Sequence, residues 1–197
     1  NITAEEVQKK AGSNRDISKA ILSFPGVGST ATFRNDLFIR GGSSAENKFY
    51  IDGIEVPVIN HFQTQGASGG PRGIITVDFI KDVDFYSGAF PATRNGALSS
   101  LFEFNLKQAR KDKLGYKAIV GLDDIQLMMD GPLSKDQSWS GLFSVRKSNL
   151  QLLFKGIGLP FLPSYYDTTF KVSKKVKTGD ELYFIGLGAI DKFEFNN

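Results

Sequence analysis

Residues 138–146, Ser-Trp-Ser-Gly-Leu-Phe-Ser-Val-Arg, alternate between two chemistries. Trp139, Gly141, Phe143 and Val145 fall on one side of an extended chain, and Ser138, Ser140, Leu142, Ser144 and Arg146 on the other. Successive side chains of a strand point to opposite faces, so a period of two predicts a strand with one apolar and one mixed, polar face. Four more segments repeat the pattern. Tyr116, Ala118, Val120 and Leu122 alternate with Lys117, Ile119 and Gly121, and Ile125, Leu127 and Met129 with Gln126, Met128 and Asp130. Phe170 and Val172 alternate with Lys171 and Ser173, and Tyr183, Ile185, Leu187 and Ala189 with Leu182, Phe184, Gly186 and Gly188. With their flanks, each fits about 9–12 residues, the length with which a tilted strand crosses a bilayer. LDD, GPLSKDQ and KTGDE supply turns between them. An apolar outside and polar inside is the pattern of a membrane β-barrel. A β-sandwich sheet with one wet face has the same period, so alternation alone leaves both architectures open.

One insert breaks the series. Residues 149–166, NLQLLFKGIGLPFLPSYY, are aromatic and apolar, and Leu150, Leu153 and Phe154 fit one turn of helix. The segment reads as a loop that packs on the N-terminal portion or sits at a membrane interface, or as a plain hydrophobic hairpin loop.

Composition narrows the classes. The 197 residues are 41% hydrophobic and 23% charged, too apolar for a disordered chain. Seventeen Phe and 21 Gly favour strands, tight turns and bulges over helix bundles. A net charge of +3 is too mild to imply a nucleic-acid partner. The basic runs at 108–113 and 171–177 read as solvated strand ends or loops. Without cysteine there are no disulfides, thiolate metal sites or cysteine nucleophiles. No run reaches ~18 apolar residues, so no transmembrane helix is expected, which leaves a soluble protein or a strand-built barrel.

Residues 1–107 mix helix and strand signals. Thr3 to Glu6 is a capping-box pattern for a short helix. Asp16 caps a second helix, DISKAILSF, with Ile17, Ala20, Ile21 and Phe24 on one face and Pro25-Gly26 as its stop. Residues 36–40 (DLFIR) read as a strand that Gly41-Gly42 breaks. Residues 49–52 and 54–58 read as strand around a turn or bulge at Gly53. Residues 60–73 read as a long exposed loop, 75–82 as a short helix, 83–86 as a strand, and 97–107 as another.

Catalytic chemistry is not visible. His61 is the only histidine, expected at the surface of the polar loop, with no metal-ligand spacing and no G-x-S-x-G elbow for a triad. Residues 40–47, RGGSSAEN, lack the signature of a phosphate-binding P-loop. The carboxylate pairs Asp82/Asp84 and Asp123/Asp124 read as charged strand ends. No enzyme, cofactor or metal site is expected.

Three segments together resemble one family. DISKAILSFPGV (16–27) resembles the helix and turn near the start of the plug domain of TonB-dependent outer-membrane receptors. FIRGGSSAENKFYIDGIEVP (38–57) resembles the plug's I-R-G…D-G signature. FIKDVDFYSGAFPATRNGALSSLFEFNLK (79–107) resembles its final stretch, with a G-A-F-P-A turn in place of the commoner L-R-G-P. Gly41, Gly42, Gly53 and Gly88 stand where strands turn sharply or bulge, and Asp52-Gly53 is a turn dipeptide.

The resemblance implies an α+β plug domain (a small mixed sheet with short helices) over residues 1–107. Residues 108–197 are then the first strands, about five, of an incomplete antiparallel transmembrane β-barrel. Arg40, Gly41, Asp52, Gly53 and Gly88 are its structural motif residues. Arg40 reads either as facing the barrel wall or as a turn residue with an exposed side chain. The whole receptor would have about 22 strands around the plug. About 90 residues follow Lys107, which cannot close such a barrel. The chain opens at Asn1 with neither Met nor signal peptide, so sequence is expected upstream, including the segment that contacts the energy-transducing protein TonB.

The implied function is import of an extracellular nutrient across the outer membrane, with outer-membrane lipid as a further partner. The resemblance points to outward plug loops as the ligand contacts, with Ser43, Ser44, Glu46, Asn47, His61, Phe62, Gln63 and Arg72 as candidates. The rival reading is a soluble β-rich adhesion or scaffold module. A barrel exposes its aromatic stripe (Trp139, Phe170, Tyr183) to lipid, whereas a sandwich covers it with a second sheet. Open edges on the isolated fragment predict self-association.

Overall fold

The computed structural model divides the chain into two compact units, Asn1–Lys107 and Gln108–Asn197. It describes residues 2–3, 16–22, 24, 26–28, 35–63, 70–176 and 180–195. The short helix expected after Thr3 lies outside them.

In the first unit, β1 (Ile2–Thr3) is followed by helix α1 (Ile17–Ile21) and by β2 (Val27–Gly28) and β3 (Phe38–Ile39), which pair with each other. Then come β4 (Asn47–Ile51), β5 (Ile54–Val56), β6 (Asn60–His61), β7 (Arg72–Gly73), β8 (Ile80–Tyr86) and β9 (Ser100–Leu106). The main sheet has the order β1-β8-β9-β4-β5. It is mixed, because β4 and β9 run parallel while the other neighbours are antiparallel.

Helix α1 begins where expected. The Asp16 carboxylate accepts from the Ser18 N–H at 2.9 Å, satisfying one of the free donors of the first turn. It is shorter than the sequence suggests, and Phe24, beyond its end, packs on Phe85 with ring centroids 6.1 Å apart. The β4–β5 hairpin turns through Asp52 (φ 46°) and Gly53 (φ 83°), the pair of positive angles that matches the twist of the flanking strands. The core is a run of rings on one sheet face. Phe102 stacks on Phe85 at 4.7 Å and on Phe49 at 5.7 Å, each its direct cross-strand neighbour.

Two expectations for this unit fail. Residues 75–82 are not a helix: a single 3-10 turn spans Val77–Phe79, and β8 starts at Ile80. Thr76 makes no side-chain cap there, and the β-branched Ile80 and Val83 are taken up by the sheet instead. The 60–73 stretch is not simply an exposed loop. Its ends pair as β6 and β7, and Asn60, His61 and Arg72 are buried.

The second unit is one antiparallel meander of β10 (Gly115–Val120), β11 (Asp124–Pro132), β12 (Trp139–Ser148), β13 (Phe161–Lys175) and β14 (Glu181–Phe195), in that order. The five expected strands are present, although β13 and β14 reach 15 residues each. Helix α2 (Leu150–Gly156) occupies part of the 149–166 insert. The remainder of that insert, from Phe161, is strand and not loop, because its alternate side chains continue the register of β13 with β14.

Burial in this sheet is inverted. Along β12, Ser144 and Arg146 are 0% and 4% exposed, while Phe143 and Val145 are 41% and 38% exposed. The same polar face buries Gln126, Asp167, Thr169, Lys171 and Ser173. The apolar face carries Tyr116, Leu127, Phe143, Val145 and Tyr166, all exposed and so covered by no second sheet among the described residues. Tyr183 does not belong to this apolar stripe. It pairs with Ser173, and Lys171 Nζ lies 5.3 Å from its ring centroid, which places it on the polar face. Phe184, one residue on, is the outward aromatic and meets Phe170 at 5.8 Å. A one-residue slip swaps every side chain of a strand between faces.

Candidate functional site

Residues 39–47 form a hydrogen-bonded corner. Gly42 N–H donates to the Ile39 carbonyl at 2.9 Å across Arg40 (φ 50°) and Gly41 (φ 80°). Arg40 is therefore an exposed turn residue, and its Nη1 would lie 3.2 Å from a Cβ added at Gly88, so two of the motif segments meet. Ser43 and Glu46 form a reciprocal capping box around the 3-10 turn Ser44–Glu46. The Asn47 side-chain amide donates to the carbonyls of Leu37 and Ser44 at 2.7 and 3.1 Å, and its oxygen accepts from Ser100 Oγ at 2.8 Å. Four of the candidate ligand contacts, Ser43, Ser44, Glu46 and Asn47, thus sit in or beside the turn, and Ser44 and Asn47 are buried.

The other four candidates are carried by the β6–β7 ladder. His61 is 0% and Arg72 8% exposed, whereas Phe62 and Gln63 are half-buried. Phe62 holds φ 55°, a strained angle for a large side chain. A buried polar cluster anchors the base of this ladder. Asp16 Oδ2 accepts from the Gly73 N–H at 2.9 Å and from Asn35 Nδ2 at 3.3 Å, while Ser18 Oγ donates to Asn60 Oδ1 at 2.7 Å. The helix cap read from the sequence therefore has a second role: it fastens a segment 57 positions away. Phe62 and Gln63 directly follow β6, and the Gln63 side-chain oxygen is buried, as His61 and Arg72 are.

At the β5 edge of the main sheet lies a charged strip. Lys48 pairs with Glu55, Tyr50 O–H donates to Glu55 Oε2 at 3.4 Å, and Arg94 bonds Glu103 at 2.6 Å while its guanidinium stacks 4.8 Å from the Tyr50 ring centroid. The hydrogen bond to Glu55 pushes the Lys48 ammonium up from the usual lysine range, and that bond from Lys48 holds Glu55 below the usual carboxylate range. Burial pushes the Tyr50 phenol up. Asp82 and Asp84 are both held by Asn105 Nδ2, at 2.6 and 3.0 Å.

The polar face of the second unit has its own cluster. Arg146 Nε and Nη2 each lie 2.8 Å from Asp167 Oδ2, and Nη1 lies 3.8 Å from Asp124 Oδ2. Tyr165 donates to Asp124 at 3.4 Å and stacks beside the guanidinium at 5.4 Å. Gln126 donates to Ser144 at 2.9 Å in the next rung. Asp124 is thus part of a buried network and not a bare charged strand end. The sequence places Arg146 on the polar side of its strand. Only the register, which sets Gln126, Arg146 and Asp167 side by side, brings the partners to it.

The apolar face ends in amphipathic pairs at both margins. Lys174 stacks on Trp139 at 5.0 Å, and Lys147 on Tyr166 at 5.6 Å. Trp139 and Lys147 lie eight residues apart on β12, about 26 Å at the usual strand rise. Tilted as barrel strands are, that length spans ~19 Å, within the ~25 Å apolar band, edged by aromatic girdles, of a membrane barrel.

A family model described as TonB-dependent Receptor Plug Domain matches residues 1–99. No curated protein matches the chain. Among solved structures, the chain is similar to a mutant of the ferric enterobactin receptor PfeA from Pseudomonas aeruginosa in complex with enterobactin. The TM-score is 0.66 at 19% identity, over 98% of this chain and 33% of that one. It is also similar to the pyoverdine outer membrane receptor FpvA from Pseudomonas aeruginosa PAO1 bound to pyoverdine, with TM-score 0.60 at 15% identity over 90% and 25%. The outer membrane transporter YddB from Escherichia coli gives TM-score 0.62 at 15% identity over 96% and 33%. The chain spans between a quarter and a third of these structures, and the likeness is one of fold.

Proposed function

Since this chain belongs to the TonB-dependent receptor plug-domain family, we propose that it supplies the gate and the first wall strands of an outer-membrane importer. The observation that carries this reading is the inverted sheet: charged and hydroxyl side chains inside, rings and aliphatic chains outside, and amphipathic pairs at both margins. Such a surface is stable where hydrocarbon replaces water. Residues 1–107 serve as the plug and residues 108–197 as the start of the wall.

In this reading the protein binds a scarce nutrient from outside, and the energy-transducing partner TonB triggers rearrangement of the plug. The neighbours in complex with enterobactin and bound to pyoverdine make an iron chelate the first ligand to try, with cobalamin, glycans and peptides as comparators. Phe62 and Gln63, which follow β6, and Arg72 on β7 form the plug contact.

Growth of a deletion strain on each nutrient class tests the reading. We expect loss of uptake for one class, restored by the native protein and weakened by Ala at Phe62, Gln63 or Arg72 with surface levels unchanged. Unchanged growth on every class removes the transport role, and unchanged uptake in the three variants removes those residues from the site.

A further inference from the structure

The apolar face of the second unit carries many large side chains, with a gap where β14 pairs with the middle of β13. There Gly186 and Gly188 stand opposite Phe170 and Thr168. The Phe170 ring lies so close over Gly186 that a Cβ would collide with it. Gly188 has no such cover, and a Cβ there would meet only the Thr168 methyl at 3.3 Å. The result is a recess of about 380 Å³, with Val145, Tyr166, Thr168, Gly188 and Ile190 among its lining residues.

At one end of the recess the chemistry changes. Lys147 lies two residues beyond Val145, and Lys192 two residues beyond Ile190, in the same direction on two strands that both oppose β13. Both lysines are exposed. Glu194, further along the same face, accepts from Gln151 at 3.1 Å.

We propose that the recess holds one acyl chain of an anionic membrane lipid, whose headgroup phosphate sits at Lys147 and Lys192. The inference rests on the reading that this face meets a membrane. An empty hollow in hydrocarbon forfeits the dispersion contacts of its lining. Water does not fill an apolar hollow, because it needs several polar partners there. An acyl chain fills it, and the two cations at its mouth select lipids that carry negative charge.

The test uses the native protein carrying this chain, in dodecyl maltoside micelles with added phosphatidylglycerol or phosphatidylcholine, and counts bound lipid by native mass spectrometry. Phosphatidylglycerol is retained over phosphatidylcholine. Lys147→Gln and Lys192→Gln each weaken its retention about fivefold, the effect of one basic residue near an anionic surface. Gly188→Leu fills the recess and weakens retention of both lipids roughly tenfold, the contact of about two buried methylenes. Equal phosphatidylglycerol retention in all variants overturns the proposal, as does a dimer that only Gly188→Leu dissolves. Failure of the membrane reading looks different: the unaltered protein stays monodisperse without detergent and holds neither lipid.

Discussion

Strands β9 and β12 share a two-residue period and bury opposite halves of it. On β9 the rings of Phe102 and Phe104 are fully buried and Glu103 and Asn105, on the other face, are half-buried. On β12 the ring of Phe143 is open and Ser144 and Arg146 are enclosed. Alternation therefore fixes which residues travel together but not which set is hidden. That choice depends on the solvent each face meets.

The largest test removes one ring from each strand. Phe102→Ala takes away the centre of a three-ring stack, and unfolding of the native protein by denaturant should show a loss of about 3–5 kcal/mol. Phe143→Ala should change stability in micelles by no more than about 1 kcal/mol, because detergent tails replace the lost contacts. Equal losses would abolish the contrast. Arg146→Met should come next in size. It strands Asp167 without its partner, with an expected loss of about 3–5 kcal/mol, and a second change, Asp167→Leu, should recover much of it. No recovery would mean that the cost lies with Asp124, the other carboxylate that Arg146 faces.

A charge on the open face sharpens the contrast further. Phe143→Lys in reconstituted bilayers should lower stability by ~2–4 kcal/mol, measured by gel-shift unfolding. A neutral outcome would place this face in water.

The smallest effect concerns the exposed Lys48–Glu55 pair of the first unit. Glu55 is held low by Lys48, so its contribution is present above the ordinary glutamate value and fades as pH falls through the lowered one. Lys48 is held high, so its contribution is present below the ordinary lysine value and is lost as pH rises through the raised one. Both side chains are about a third exposed or more, so screening keeps the effect small. A Lys48→Met/Glu55→Gln double variant should flatten stability at both ends of the pH range.

What the sequence disclosed follows from what each signal measures. The five strands of the second unit and the Asp52-Gly53 hairpin were legible, because period and turn dipeptides are local. The face of Tyr183 was not, since it depends on registration with Ser173 across the turn to β14. Polar composition suggested that 60–73 was open. Pairing of its ends, and the Asp16 carboxylate reaching Gly73, buried them instead. The Arg146 cluster draws on three strands, so no single stretch announced it. The bonds that Ser43 and Asn47 make within the turn were not legible either, because caps and ligand contacts use the same oxygen and amide chemistry.

The great length of β13 and β14 carries one more consequence. Fifteen residues each span about 50 Å, or ~35 Å when tilted as barrel strands are, against an oily belt of ~25 Å. In the proposed importer, such staves would overtop the bilayer like a parapet. Water-borne molecules would meet that coping first, so substitutions there can alter what the cell surface displays while the anchorage beneath stays as it was.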